Sequence, residues 1–202
     1  MNKIVVLIPT RQTELDLALK AAQIQKERAG IHCEVKILVD SEQKGWVHSI
    51  NRGFEENPGY DYYVYSCTDY FPGRRWLQIG MQTLIKDKKG LLAFNDGKWF
   101  GRIATAGIVS KEFIAKTYKD KLLPDCYKNH YADTEISIVA EEMNELCYNP
   151  NAVLVEVDYD GKDTRPVNVK DRKLFNERLK TGFGLINPKS LDRHNQPMGE
   201  NQ

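Results

Sequence analysis

Ile4-Val5-Val6-Leu7-Ile8-Pro9-Thr10-Arg11 decides how the chain is read. Four β-branched residues and a leucine run without alternation, and Pro9 closes them, the pattern of a strand buried on both faces. Working outward, Thr13 with Asp16 three residues later forms a capping-box pattern, and Leu15, Ala18, Leu19, Ala22 and Ile24 follow at roughly helical spacing. Val35-Lys36-Ile37-Leu38-Val39 is a second strand, ending at Asp40. Trp46, Val47, Ile50 and Phe54 share one face of a second helix that Asn57-Pro58-Gly59 stops. Tyr62-Tyr63-Val64-Tyr65 is a third strand, running into Ser66-Cys67-Thr68-Asp69. Pro72 suits the first turn of a third helix carrying Trp76, Leu77, Ile79 and Leu84. Strand–helix three times over predicts an α/β fold, a Rossmann-like parallel sheet with helices on both faces. Such sheets bind ligands at the carboxyl ends of their strands, which singles out Pro9, Thr10, Arg11, Asp40, Thr68 and Asp69.

The second half reads as mixed. Leu91 to Phe94 and Arg102 to Val109 are predicted strands, and Ser110 is the predicted cap of a short helix. Asp133 to Leu146 is a predicted helix with Ile136, Val139, Ala140 and Met143 on one face, and Ala152 to Val157 is a last strand. From Asp158 the chain turns polar, and Gly161 to Arg193 carries nine Lys/Arg against four Asp/Glu.

Composition narrows the class. Of 202 residues, 41% are hydrophobic, enough for a core, and 29 basic residues nearly cancel 28 acidic ones. That balance argues against a generally basic nucleic-acid coat protein. No apolar run approaches the ~20 residues a membrane span needs. The apolar run after Met1-Asn2-Lys3 is too short for a signal peptide. Cys33, Cys67, Cys126 and Cys147 are far apart with no C-x-x-C pair, as expected of reduced thiols in a cytoplasmic protein. The chain lacks G-x-G-x-x-G after its first strand, a G-x-x-x-x-G-K-[ST] phosphate loop and a G-x-S-x-G elbow, and its four histidines show no metal-ligand spacing. The common chemistries of nucleotide folds and hydrolases are thereby excluded.

Four segments, in order, carry a resemblance. Ile4 to Arg11 is a strand with a Pro-Thr-Arg turn. Ile37-Leu38-Val39-Asp40 is followed by Lys44-Gly45 and Ser49-Ile50-Asn51-Arg52-Gly53. Val64 to Pro72 leads to Trp76-Leu77, and His130-Tyr131-Ala132-Asp133-Thr134-Glu135-Ile136 opens the later helix. Together they resemble the small family 2-type glycosyltransferases with the GT-A fold, over residues 4–157. Cys67 stands where that family has the first acid of its D-x-D motif, and no histidine follows Ala152 where the family often has one.

The resemblance implies a GT-A-like domain over 1–158, with a nucleotide-sugar-binding half (1–90), an acceptor-side half (91–158) holding a smaller mixed sheet, and a basic helical tail or lid over 159–202. It implies metal-dependent, inverting transfer of a sugar from a nucleotide-sugar donor, most simply a UDP-sugar, to an acceptor hydroxyl. Asp133 is then the general base, taking the hydroxyl proton as that oxygen attacks the anomeric carbon. Pro9, Thr10, Arg11, Asp40, Asn51, Thr68 and Asp69 are the implied donor site. Asp69, with Asp158 in place of the missing histidine, is the implied ligand set for Mn2+ or Mg2+, which would neutralise the departing diphosphate.

Plainer roles stand beside these: Asp133 as a helix N-cap, Asp40 as a turn residue, Asp69 as a helix cap. Trp99, placed on a loop by Asn95-Asp96-Gly97, is the tryptophan best placed to stack on a sugar. The basic tail has three readings. It is a solvated helix packed on the domain, or a lid in which Arg165, Lys170, Arg172 and Lys173 reach the diphosphate, or a contact for a polyanionic acceptor such as hydroxymethylated DNA. A catalytically inert nucleotide-sugar binder is the rival from another class. A sugar-nucleotidyltransferase ranks lower, because Pro9-Thr10-Arg11-Gln12-Thr13 lacks the glycines of its opening loop.

Overall fold

The computed structural model describes residues 2–157 and 168–194. Strands β1 (Ile4–Thr10), β2 (Glu34–Val39) and β3 (Tyr62–Tyr65) are parallel, with β1 in the middle. Helices α1 (Leu15–Arg28) and α2 (Trp46–Glu56) make the crossovers. Beyond β3 the sheet continues through β6 (Gly107–Ser110), β5 (Leu91–Asn95), β7 (Leu146–Glu156) and β4 (Tyr70–Pro72), in the order β2-β1-β3-β6-β5-β7-β4. The β3–β6, β6–β5 and β7–β4 pairs are antiparallel and β5–β7 is parallel, so the later half is mixed, as expected. Helices α3 (Trp76–Asp87), α4 (Lys111–Lys116), α5 (Ala132–Glu142) and α6 (Val169–Leu179) complete the molecule.

The unbroken apolar run of β1 divides by the period of two that a strand imposes. Val5 and Leu7 enter a core shared with α2, α5 and α6, while Ile4, Val6 and Ile8 enter one shared with α3. β3 and β5 divide likewise: Tyr63, Tyr65, Leu91 and Ala93 face the first core, and Val64, Leu92 and Phe94 the second. A sheet covered on both faces needs such strands, and the sequence supplies them.

Several boundaries differ from expectation, each for a local reason. The Thr13–Asp16 capping box does not form. The chain leaves β1 through a 3-10 turn, Gln12–Glu14, closed by the Glu14 N–H on the Arg11 carbonyl (3.0 Å), and α1 begins only at Leu15. Leu19 is exposed, and α1 buries Ala18, Ala21 and Gln25 instead. Pro72 ends an edge strand rather than starting a helix. Its lack of an N–H costs nothing at an edge, and α3 starts at Trp76 after Arg75 adopts φ 58°. Of the predicted 102–109 strand only residues 107–109 pair, within β6, because residues 96–106 form a loop. The predicted 133–146 helix stops at Glu142; Asn144 turns left-handed (φ 56°) and Leu146 opens β7. Ser110 caps α4 as expected, accepting from the Phe113 N–H at 3.2 Å.

Where it is described, the C-terminal segment packs on the domain through α6 and the turns after it. Phe175, Leu179, Phe183 and Leu191 are buried in the core that holds α2 and α5. Arg165 lies outside the described residues, as does Asp158.

Candidate active site at the strand ends

The carboxyl ends of β1 and β2 are joined by the Asp40 N–H on the Thr10 carbonyl at 2.8 Å. The Asp40 carboxylate accepts the backbone N–H groups of Lys44 (3.0 Å) and Gly45 (2.8 Å) and so shapes the loop into α2. Its turn role is therefore real, although a carboxylate with two oxygens retains acceptor sites after two bonds. Gly45 has φ 108°, and a Cβ there would stand 2.5 Å from the Lys128 carbonyl oxygen, so the loop tolerates no side chain at this point. Thr10 is buried at the end of β1, Pro9 is half-buried beside Leu38, and Arg11 is exposed and paired with Glu14 at 3.9 Å.

Asn51 does not join them. It is buried in α2, its amide donating to the Leu123 carbonyl (3.0 Å) and accepting the Leu123 N–H (2.9 Å). Those two bonds occupy the side chain in holding the 122–124 segment to the core. Thr68 lines a cavity of about 210 Å³ between α1 and β4, with Leu17, Lys20, Ala21, Ile24, Tyr70 and Phe71.

Cys67, where β3 exits, feels three acids among the described residues without their converging on it. The Cys67 thiol lies within electrostatic range of Asp69, Glu156 and Asp133, and faces the Trp46 indole. Burial pushes that thiol well above its ordinary value, with Asp69 adding to the shift and Trp46 opposing it. A protonated thiol is a poor ligand for a hard cation. Tyr70 is likewise raised, first by burial and then by Cys67, Glu156 and Asp69. Asp69 sits where the chain turns from β3 into β4, and its carbonyl accepts the Val157 N–H at 2.8 Å, bringing the end of β7 alongside.

Asp133 stands in the first turn of α5, half-buried. It is not the N-cap: Tyr131 holds that position at φ 70° and makes no side-chain cap bond. The Asp133 carboxylate accepts from the Thr134 N–H (2.8 Å) and hydroxyl (3.4 Å). Burial raises its proton affinity above the ordinary aspartate value, against the opposing pull of those bonds and of His130. Asp133 and Asp69 thus both lie within electrostatic range of the Cys67 thiol, at the mouth of the sheet where β3 exits.

Two buried polar residues that the sequence patterns passed over hold this mouth open. Gln25 donates to the carbonyls of Cys67 (3.3 Å) and Tyr70 (3.4 Å) and accepts from the Ser66 hydroxyl (3.2 Å), fixing the loop that carries Asp69. Its signal was available: Gln25 follows Ala18 and Ala21 on the buried stripe of α1. Asp96 accepts from the N–H groups of Lys98 (2.9 Å) and Trp99 (2.8 Å) and from the Thr105 hydroxyl (2.8 Å). The loop it anchors presents half-buried Trp99 and exposed Phe100, the latter at φ 49°. Lys98 pairs with Glu156 at 3.3 Å, joining that loop to the acidic mouth.

Among the described residues, no three His, Cys, Asp or Glu side chains converge as a metal cage. No helix among them is long and apolar enough to cross a membrane. No protein-family model and no curated protein matches the sequence, so likeness is carried by structure alone. Residues 1–349 of S. aureus TarS superpose with a TM-score of 0.52 at 12% identity, covering 77% of this chain and 60% of that one. A longer S. aureus TarS structure gives 0.55 at 11% identity, over 88% of this chain and 40% of that one. TarS 1–349 in complex with UDP gives 0.50 at 11% identity, over 75% of this chain and 59% of that one. The chain therefore spans about 60% of the length of TarS 1–349, and what the two share is the fold, that of the GT-A-type glycosyltransferases.

Proposed function

We propose that the protein transfers a sugar from a nucleotide-sugar donor to an acceptor hydroxyl at the mouth between β1, β3 and α5. The observation that carries this reading is the placing of Asp69 between β3 and β4 and of half-buried Asp133 in the first turn of α5, both within electrostatic range of Cys67, with Asp133 biased toward holding a proton. A general base gains from that bias, because its proton affinity then lies nearer working pH. The UDP complex of TarS, which shares the fold, supports a UDP-sugar as donor. Thr10 and Asp40 offer acceptors at the strand ends for the nucleoside, and Asp69 is placed for the diphosphate.

A divalent cation such as Mn2+ or Mg2+ fits Asp69, whose carboxylate is a hard oxygen donor. Magnesium keeps several waters and takes few protein ligands, so one carboxylate and the donor's phosphates suffice, with Asp158 as the second candidate. Bound there, the cation supplies charge neutralisation for the departing diphosphate. Asp133 takes the acceptor proton as the hydroxyl oxygen attacks the anomeric carbon from the face opposite the nucleotide, and a single displacement inverts that carbon. The loop of Trp99 and Phe100 offers a flat apolar face to a saccharide acceptor. Contact with a polyanion such as DNA rests on exposed Lys170 and Lys173, since Arg172 and Arg178 are already bonded within the protein. Residues 1–90 then serve the donor and 91–158 the acceptor.

The test is Asp133→Asn. Transfer is lost while donor affinity stays within about threefold, because the base contacts the acceptor rather than the donor. Loss of donor binding in that variant misplaces the base. Donor binding with no transfer by the wild-type chain to any hydroxyl acceptor identifies an inert binder.

A further inference from the structure

Helix α6 grips the turn that precedes Asp133 at three points. Asp171, 4% exposed, accepts three consecutive backbone N–H groups, those of Lys128 (3.1 Å), Asn129 (3.0 Å) and His130 (3.1 Å). The Phe175 ring stacks on Tyr131 at 4.8 Å and 25°, and the Arg172 Nε donates to the Tyr131 hydroxyl at 3.1 Å. Two residues after Asp133, Arg178 clasps buried Glu135 through two bonds, 2.8 and 2.6 Å.

The turn so held is one the chain does not adopt by preference. Tyr131 lies at φ 70°, a conformation a bulky L-residue keeps only where its surroundings hold it. Three parallel N–H groups without an acceptor would add a desolvation cost, and Asp171 removes it with one carboxylate. On its other side the same loop is held independently: the Lys128 carbonyl accepts the Val47 N–H (3.2 Å) and the Asn129 amide oxygen accepts the Trp46 N–H (3.0 Å). The loop is thus suspended between the N-terminus of α2 and the buried carboxylate of α6, with Asp133 three residues downstream of it.

We infer that Asp171 is a positioning residue for Asp133: by gathering the 128–130 amides it sets the strained Tyr131 turn and hence where the Asp133 carboxylate stands. This rests on Asp133 being the base. The C-terminal helix is then a working part of the site without touching substrate. An amide at 171 retains one acceptor oxygen and loses the charge, and alanine loses both oxygens, so the two substitutions form a graded pair.

The experiment uses the full chain, wild type, Asp171→Asn and Asp171→Ala, with UDP and Mn2+ as the binding probe. UDP release from UDP-glucose, UDP-galactose and UDP-N-acetylglucosamine reports turnover, and amide hydrogen exchange reports the turn. The expected result is faster exchange at residues 128–135 in both variants, with the β1 amides unchanged. UDP affinity stays within about twofold, and kcat falls roughly 10-fold in Asp171→Asn and 100-fold in Asp171→Ala, the scale of misplacing a catalytic group by about 1 Å. A merely structural role predicts instead that kcat and the UDP-binding fraction fall together. That result, unchanged exchange at 131–135, or unchanged turnover overturns the inference. If the wild-type chain releases no UDP from any donor, the transfer reading fails, and the exchange data still decide whether Asp171 sets the turn.

Discussion

Replacing Arg178 by methionine isolates the strongest polar tie between the C-terminal helix and the rest of the molecule. Glu135 is fully buried, and its carboxylate takes two bonds from Arg178 and one from the Tyr127 hydroxyl (2.7 Å). Methionine keeps much of the arginine stem's apolar volume but leaves the carboxylate with neutral phenols, Tyr127 and the nearby Tyr118, and no cation. Breaking a buried ion pair from one side costs about 3–5 kcal/mol. The Arg178 side chain is 29% exposed, so water relieves part of the loss and places the cost near the lower end of that range, about 3 kcal/mol. For a chain of this size each kcal/mol moves the melting temperature by about 2–4 °C, so the midpoint falls by roughly 6–12 °C. The assay is thermal unfolding followed by circular dichroism, repeated with Glu135→Gln added. The second substitution removes the stranded charge and restores more than half of the loss. A drop below about 2 °C, or a deficit that Glu135→Gln leaves untouched, refutes the reasoning that the pair is buried and mutually dependent.

Three further outcomes follow from the site. Gly45→Ala sets a Cβ against the Lys128 carbonyl at a backbone angle that L-residues avoid, so stability falls by more than about 1 kcal/mol in urea unfolding and UDP affinity falls with it. Gln25→Leu leaves the Cys67 and Tyr70 carbonyls unpartnered behind Asp69, costing about 1–3 kcal/mol and weakening metal-dependent UDP binding in calorimetry. Asp133 has its proton affinity raised in the folded state, so the fold favours the protonated form: its contribution is fully present below the ordinary carboxylate range and is lost as pH rises through the raised value. Asp133→Asn is therefore more stable than wild type at pH 7, and the advantage disappears at about pH 3 in parallel melts. For the same reason wild-type kcat falls on acidification at a pH above that of a free aspartate.

The donor half was legible because its signals are local. The unbroken apolar run at 4–8 and the largely apolar 35–39, closed by Pro9 and Asp40, specify parallel strands, and strand ends of that topology locate the mouth. The second half was less legible because β4, β6 and the long β7 are defined by their partners: Pro72 pairs with Leu154 across the sheet, and the left-handed Asn144 turn is met by Lys89, whose ammonium donates to the Asn144 carbonyl (2.6 Å) and amide oxygen (2.8 Å). Asn51 read as a site residue by its place in a motif, yet its amide is spent on Leu123, a contact 72 positions away. Asp171 carried no signal at all. In sequence it is an acid in the first turn of a helix capped by Asn168, an ordinary dipole complement. Only the fold brings the 128–130 amides to it. The polar character of the tail likewise hid how four apolar residues, Phe175, Leu179, Phe183 and Leu191, dock it onto the core.

The most direct test of the account is a thermal-shift panel of UDP-, GDP-, ADP- and dTDP-sugars, each with Mn2+ and with EDTA, on the wild-type chain and Asp69→Ala. At 100 times its dissociation constant a ligand stabilises by about 2.7 kcal/mol, several degrees for a chain of this length. The account predicts a metal-dependent shift with one nucleotide class, UDP-sugars first, that Asp69→Ala removes. No shift with any donor, or a shift equal in EDTA and unaffected by Asp69→Ala, contradicts it.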